Sequence, residues 1–129
     1  MDLAAYARQD LEGVVRLCDD EGWPSFGADP ERAHRALTAP GVTAVVARDG
    51  SDVVGFAYVQ SDGEIQAHLS SIAVDRSRRR QGIARQLLQL AIEQAGGERI
   101  DLITETSSGF YAALTHKHWD GFRIYPPFT

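Results

Sequence analysis

Between Asp75 and Leu88 the chain reads DRSRRRQGIARQLL. Five arginines, Arg76, Arg78, Arg79, Arg80 and Arg85, fall within ten residues and surround Gly82 at the head of an apolar-periodic run. Residues of these types at this spacing suit the binding of an anion. The first N–H groups of a helix lack intrahelical acceptors and point outward along the positive end of its dipole, so phosphate oxygens are held there wherever the chain permits close approach. Gly82 and Ala84 permit it, and arginine forks add charge-assisted bonds at the rim. A solvated basic turn would account for the arginines alone. It would not account for the glycine, the small residue two places on, or the apolar pattern that runs up to Val74.

The rest of the chain says how large that anion is. Thirteen basic residues face 18 acidic ones for a net charge of −5, so the surface away from this stretch is predominantly negative. A module that coats nucleic acid spreads its cations along a face, because affinity grows with the number of phosphates neutralised. One cluster on an acidic body favours a small polyanionic ligand over nucleic acid. At 129 residues, 43% of them hydrophobic, the chain is expected to form one domain over 1–129. It contains neither 18 consecutive apolar residues nor a charged-then-apolar leader after Met1, which points to the cytoplasm and away from membranes. The lone Cys18 reads as a small buried apolar residue.

The elements that must position this loop follow from periodicity. Leu11, Val14, Val15, Leu17 and Cys18 lie at helical spacing, with Asp10 as the expected N-cap and Gly22 as the stop, which predicts a helix over 10–21. Residues 2–7 suit a short edge strand, and Trp23 to Ala28 a loop. Asp29 then caps a helix that has Pro30 in its first turn and ends at Pro40-Gly41. Strands are expected over 43–48, 53–60 and 65–74, joined by the turns RDGSD and SDGE. From Gln81 to Ala95 a broad apolar stripe predicts a helix that Gly96-Gly97 stops. RIDLITE reads as a strand buried on both faces, SSGFYAALTHK as a last helix and GFRIY as a final strand. The fold class is therefore mixed α+β or α/β, with about six mostly antiparallel strands and about four helices on both faces of the sheet.

Arg79-Arg80-Gln81-Gly82-Ile83-Ala84 resembles the (Arg/Gln)-x-x-Gly-x-(Gly/Ala) signature of the GNAT acetyltransferase superfamily. HLSSIAVD before it is similar to that family's fourth strand, and GFYAAL to its FYxxL helix start. The resemblance extends over the order of elements from about Asp10 to Tyr125. It implies an acetyl-CoA-dependent N-acetyltransferase. The N–H groups of Gln81, Gly82, Ile83, Ala84 and Arg85 would cradle the cofactor's pyrophosphate, with Arg79 and Arg80 tightening the grip. Ile72, Ala73 and Val74 would pair with the pantetheine amides as an added strand does. The family opens that edge by splaying its fourth and fifth strands, here 65–74 and 100–105.

Acetyl transfer to an amine needs a neutral amine, a donor for the developing oxyanion and a proton for the leaving thiolate. A lysine-like amine of pKa about 10.4 is neutral in only about one molecule in two thousand at pH 7. His68 stands about where many members carry a glutamate base; Glu64, Glu105 and water are alternatives. The resemblance makes the Val74 N–H the oxyanion donor and Tyr111 the acid that protonates the thiolate. Trp23 and Phe26 would wall the acceptor pocket, and Asp19, Asp20 and Glu21 beside them favour a cationic acceptor. The acceptor is then a small-molecule or peptide amine. A CoA-binding sensor without catalysis is the alternative from another class.

The chain also departs from the family pattern. Leu114-Thr115-His116 stands where Gly-Phe is common, and Thr104 where an asparagine is common. A seventh strand is not evident after GFRIY, which would leave an edge for a second copy to cover in a homodimer. His116 and His118 lack a third ligand nearby, so no metal is expected.

Overall fold

The alternating apolar residues of 42–74 build the middle of a sheet in the computed structural model, which describes residues 1–127. Strands β2 (Val42–Asp49), β3 (Asp52–Ser61) and β4 (Gln66–Val74) pair antiparallel in succession through short turns. β1 (Asp2–Ala5) lies antiparallel beside β2, and β5 (Arg99–Asp101) parallel to β4, for an order of β1-β2-β3-β4-β5. Two sets of helices cover the two faces. α1 (Leu11–Asp20) and α3 (Pro30–Leu37) bury Val14, Leu17, Cys18 and Leu37 against Val46, Val53, Phe56 and Ala73, and α2 (Pro24–Ala28) adds Phe26 at the margin. On the other face α4 (Ile83–Ala95) sets Ile83, Leu87, Leu88 and Ala91 on Val45, Ala57, Val59 and Leu69. The short α5 (Ser108–Ala112) adds Phe110 and Tyr111 at the margin of that core. No helix among the described residues is long and apolar enough to cross a membrane.

Gly55 sets the spacing between α4 and the sheet. A Cβ there would stand 2.9 Å from Leu87 Cδ1 and 3.3 Å from Ile83 Cγ2, so the helix lies on bare backbone at mid-sheet. This close seat fixes where the N-terminus of α4 emerges beside the end of β4.

Four expectations are corrected. Asp10 begins α1 but its side chain does not cap it. The carboxylate accepts from the Ala7 N–H at 2.8 Å and from Arg48 Nε and Nη2 at 2.7 and 2.6 Å, so it is committed to a buried ion pair that ties α1 to β2. The segment read as a loop after Trp23 contains α2, because Pro24 suits a first helical turn and Phe26 finds Tyr58 to pack on at 5.8 Å between rings. β5 is three residues long with a half-buried Ile100 between exposed ends, not a strand buried on both faces. GFRIY is not a strand. With β5 ending at Asp101 it has no pairing edge, and Phe122, Ile124 and Tyr125 stand 87, 70 and 73% exposed. Among the described residues there are five strands where about six were expected, and five α-helices where about four were expected; the mixed class stands.

Asp10 is 1% exposed and is the only charged residue in the described core. Burial alone would raise its carboxyl pKa. The bonds from Arg48 and Ala7, together with the Arg48 charge, more than reverse this and hold it below the ordinary carboxylate value. A carboxyl whose pKa is depressed in the native state stabilises the fold at neutral pH and gives that stability up as pH falls through the native pKa. Asp10→Asn leaves a largely buried Arg48 unpaired, and should reduce the unfolding free energy by about 3 kcal/mol at neutral pH in urea titrations. The deficit should narrow on acidification to about pH 3; a deficit that stays constant would show that charge contributes nothing to the contact.

Candidate active site

The site begins with a bulge in β4. Tyr58 of β3 stands opposite Ser71 and Val59 opposite Leu69, so Ser70 is the extra residue. Its effect is one of parity. The Asp75 N–H donates to the Val54 carbonyl at 2.8 Å, and since bonded and non-bonded pairs alternate in an antiparallel ladder, Ala73 turns its N–H and C=O to Phe56 of β3. Ile72 and Val74 therefore turn theirs the other way, toward the side on which β5 would lie. β5 is not there. It pairs only with Gln66, Ala67 and His68, so from Leu69 to Val74 that edge of β4 is open. Of the three residues expected to pair with a peptide-like ligand, Ile72 and Val74 are presented to it and Ala73 is not.

The open edge leads into the arginine loop. Asp75 accepts from Ser77 N–H and Oγ and caps a single 3-10 turn, Arg76–Arg78. Arg80 then takes a left-handed conformation with φ +63°, and Gly82 another with φ +79°, immediately before Ile83 starts α4. Successive turns of this kind gather N–H groups into a concavity for an anion, here coincident with the positive end of a 13-residue helix. The space in front is free: a Cβ on Gly82 would meet nothing nearer than Gln86 Nε2 at 3.9 Å. A pyrophosphate followed by an amide-bearing arm fits this arrangement, the first at Gly82 to Arg85 and the second along Ile72 and Val74.

The arginines divide into two groups. Arg76 donates to the Asp20 carbonyl at the end of α1 at 3.2 Å, and Arg78 pairs with Asp49 on the β2–β3 hairpin. Arg79 pairs with Glu21, and its Nε reaches the Val74 carbonyl at 3.3 Å. These three fasten the loop to the body, which gives Arg76 and Arg78 a place and gives Arg79 a partner within the protein. Among the described residues Arg80 and Arg85 have no carboxylate partner and remain available to an anion.

The proton-transfer candidates do not converge. Tyr111 is half-buried on α5, edge-on to Phe110 at 5.0 Å, and burial pushes its phenol above the ordinary value of 10, so it stays protonated and able to donate. Thr104 accepts from the Ser107 N–H at 3.0 Å and so shapes the turn into α5. His68 is exposed, opposite Gln60 of β3 and Asp101 of β5. It opens on a groove of about 580 Å³ between the end of α3 and the β3–β4 turn. Six residues of strand, about 20 Å, separate it from Val74. Glu64 lies exposed in the β3–β4 turn and Glu105 is exposed beyond β5. On the face that carries α1 and α2, Trp23 is 38% exposed and Phe26 leans on Tyr58. Tyr58 was not expected to matter. Its phenol is held above the ordinary value by burial, partly relieved by the Ser71 and Ser70 hydroxyls, and it stands opposite Ser71 at the bulge. The signal in the sequence was the Ser70-Ser71 pair, two small polar residues in an otherwise apolar strand.

The model of the acetyltransferase (GNAT) family matches residues 8–117. No curated protein matches the chain by sequence. Among solved structures, a transcriptional regulator from Bacillus halodurans is 22% identical, with 96% of this chain and 98% of that one covered and a TM-score of 0.81. An aminoglycoside N-acetyltransferase in complex with CoA is 20% identical over 99% of this chain and 100% of that one, with a TM-score of 0.77. A ribosomal-protein-alanine N-acetyltransferase from Brucella melitensis biovar Abortus is 19% identical, covers 96 and 97% of the two chains and has a TM-score of 0.75. At these identities the likeness is one of fold.

Behind the aromatic wall, Cys18 is 3% exposed, and burial with the charges of Asp19 and Glu21 pushes its thiol up to about 12. It is a packing residue and not a nucleophile. Native protein at about pH 8 should consume no iodoacetamide over hours and one equivalent promptly once unfolded in urea. Rapid labelling of the folded chain would contradict this.

Proposed function

Because the chain belongs to the GNAT acetyltransferase family, we propose that it is an N-acetyltransferase that moves the acetyl group of acetyl-CoA directly to a primary amine on a small molecule or a peptide. One observation carries this reading: the open edge of β4 from Leu69 to Val74 leads, through the single 3-10 turn Arg76–Arg78, into the left-handed turns before α4. Ile72 would bond the pantetheine arm, leaving the Val74 N–H for the acetyl group, and the N–H groups of Gln81 to Arg85 would hold the pyrophosphate, with Arg80 and Arg85 as charged rim. That Arg76, Arg78 and Arg79 are held by the protein itself weighs against a nucleic-acid surface.

The residues of the chain then act in sequence. The Val74 N–H, turned to the open side, would receive the oxygen of the thioester carbonyl as negative charge develops there. The amine attacks the carbonyl carbon, a C–N bond forms, and the C–S bond breaks with its electron pair leaving on sulfur. Tyr111, kept protonated by burial, would hand its proton to the thiolate, and the ammonium proton of the new amide would pass to solvent or to His68 through water. The distance of His68 from Val74 favours water as the immediate base, with His68, Glu64 and Glu105 as relays to bulk. We place the protein in the cytoplasm, where acetyl-CoA is available. The apolar side chains exposed over 119–125 favour a homodimer.

Two variants and one screen test the proposal. Gly82→Glu puts a carboxylate into the space the pyrophosphate needs and should abolish CoA binding in calorimetry without unfolding the protein; retained affinity would remove the pyrophosphate cradle from the reading. Tyr111→Phe should lower turnover at least tenfold with CoA affinity within twofold of wild type, the pattern of a group needed only in the transition state. Release of free thiol from acetyl-CoA, followed across amines, amino acids and peptides, would identify the acceptor. CoA binding without thiol release for any amine would favour the sensor alternative.

A further inference from the structure

The three fastened arginines do more than hold a loop, because two of them fasten it to the segment that leads to the acceptor wall. Glu21 is the last residue of α1's capping turn, followed by Gly22 with φ +79° and then Trp23 and Phe26. Its carboxylate is held by Arg79 and is 22% exposed, against 48% for the arginine. Arg79 is in turn set at the mouth of the open edge by its bond to the Val74 carbonyl, one residue before left-handed Arg80 and three before Gly82. One guanidinium thus stands between a carboxylate on the acceptor side and the seat of an anion on the cofactor side.

The carboxylate needs a cation wherever it finds one. The C-terminal end of α1 carries the negative end of the helix dipole together with Asp19, Asp20 and Glu21, and has no basic residue in its own last turn. Arg16, one turn earlier on α1, reaches Asp20 at 3.8 Å, and the remaining cations come from the loop: Arg76 on the Asp20 carbonyl and Arg79 on Glu21. We infer that Glu21 is held in reserve by Arg79 and is released to recognise the ammonium of a cationic acceptor when the cofactor's pyrophosphate takes Arg79 over. The inference rests on the acetyltransferase reading and goes past it, since it makes Glu21 a specificity residue and Arg79 a cation shared between two sites. Its thermodynamic content is a coupling. Glu21 opposes cofactor binding by competing for Arg79, and an ammonium ion that neutralises Glu21 favours cofactor binding by the same factor with which the cofactor favours the ammonium.

Calorimetry of CoA with the full chain tests this through a double-mutant cycle. Glu21→Gln, which removes the competitor, should bind CoA about five- to tenfold more tightly than wild type and with a steeper salt dependence, as one more cation meets the phosphates. Arg79→Gln should bind more weakly, and adding Glu21→Gln to it should change affinity less than twofold. Propylammonium chloride should tighten CoA binding by wild type relative to sodium chloride at equal ionic strength, and should do nothing for Glu21→Gln. An unchanged CoA affinity in Glu21→Gln overturns the inference, as does an equal response of both proteins to propylammonium. If wild type itself binds no CoA, the acetyltransferase reading fails and the inference with it; if wild type binds and Gly82→Glu does not, a negative cycle counts against the shared arginine alone.

Discussion

A β-strand left with unpaired N–H and C=O groups along one edge is a liability, and most folds pair, cover or blunt such an edge. Here the arrangement of the molecule depends on keeping one open. β4 is anchored along its other edge by β3 and on both faces by helices, so it does not need β5 beyond Ala67 and His68 to stay in place. Ser70 then shifts the parity of the strand, so that Ala67 and Leu69 before the bulge and Ile72 and Val74 after it all put side chains on the α4 face. A regular strand would have placed Ser71 and Ala73 there. One inserted residue thus decides both which side chains fill the core and which backbone groups await a ligand.

Much of this was legible in the sequence, for reasons that are local. α4 could be read because its stripe is long, its start follows a glycine and its end meets two. The Asp29 cap, which accepts from the Arg32 N–H at 3.1 Å, needs only residues three apart. The three central strands carry their own alternation and turns. What was not legible required a partner far away in sequence. Asp10 has the type and position of an N-cap, and only Arg48, 38 residues on, turns it to another use. RIDLITE and GFRIY have strand composition, but a strand exists only where the chain runs along an edge, and beyond Asp101 the chain leaves the edge of β4. The bulge itself left one trace, the Ser70-Ser71 pair, which could be recognised once its place beside Tyr58 was known.

The arginine segment shows the same division in electrostatic form. Its density of positive charge suggested a ligand, yet Arg78 and Arg79 are paired with Asp49 and Glu21, and Arg76 is tied to the carboxyl end of α1. An acidic body around a basic loop is therefore also a way of building that loop. Exposed pairs of this sort contribute little each to stability. Their value lies in geometry, since two pairs and the Arg76 bond, to two different elements, hold the backbone in the shape that presents its N–H groups. The anion seat is made chiefly of main chain, and the side chains that first mark it in the sequence serve as its fastenings.

Arg80 carries a consequence of a different kind. A non-glycine residue in the left-handed region is strained by roughly 1 kcal/mol, and here that strain sits in the middle of the anion seat. Mutational tolerance at this position should run opposite to its surroundings. Glycine and asparagine, usually neutral or harmful replacements, would make the folded protein more robust, while β-branched residues would weaken it. Selection for stability alone would therefore remove the arginine. A survey of variants ranked only by thermal tolerance would point to residue 80 as a place where the backbone conformation is not set by stability alone.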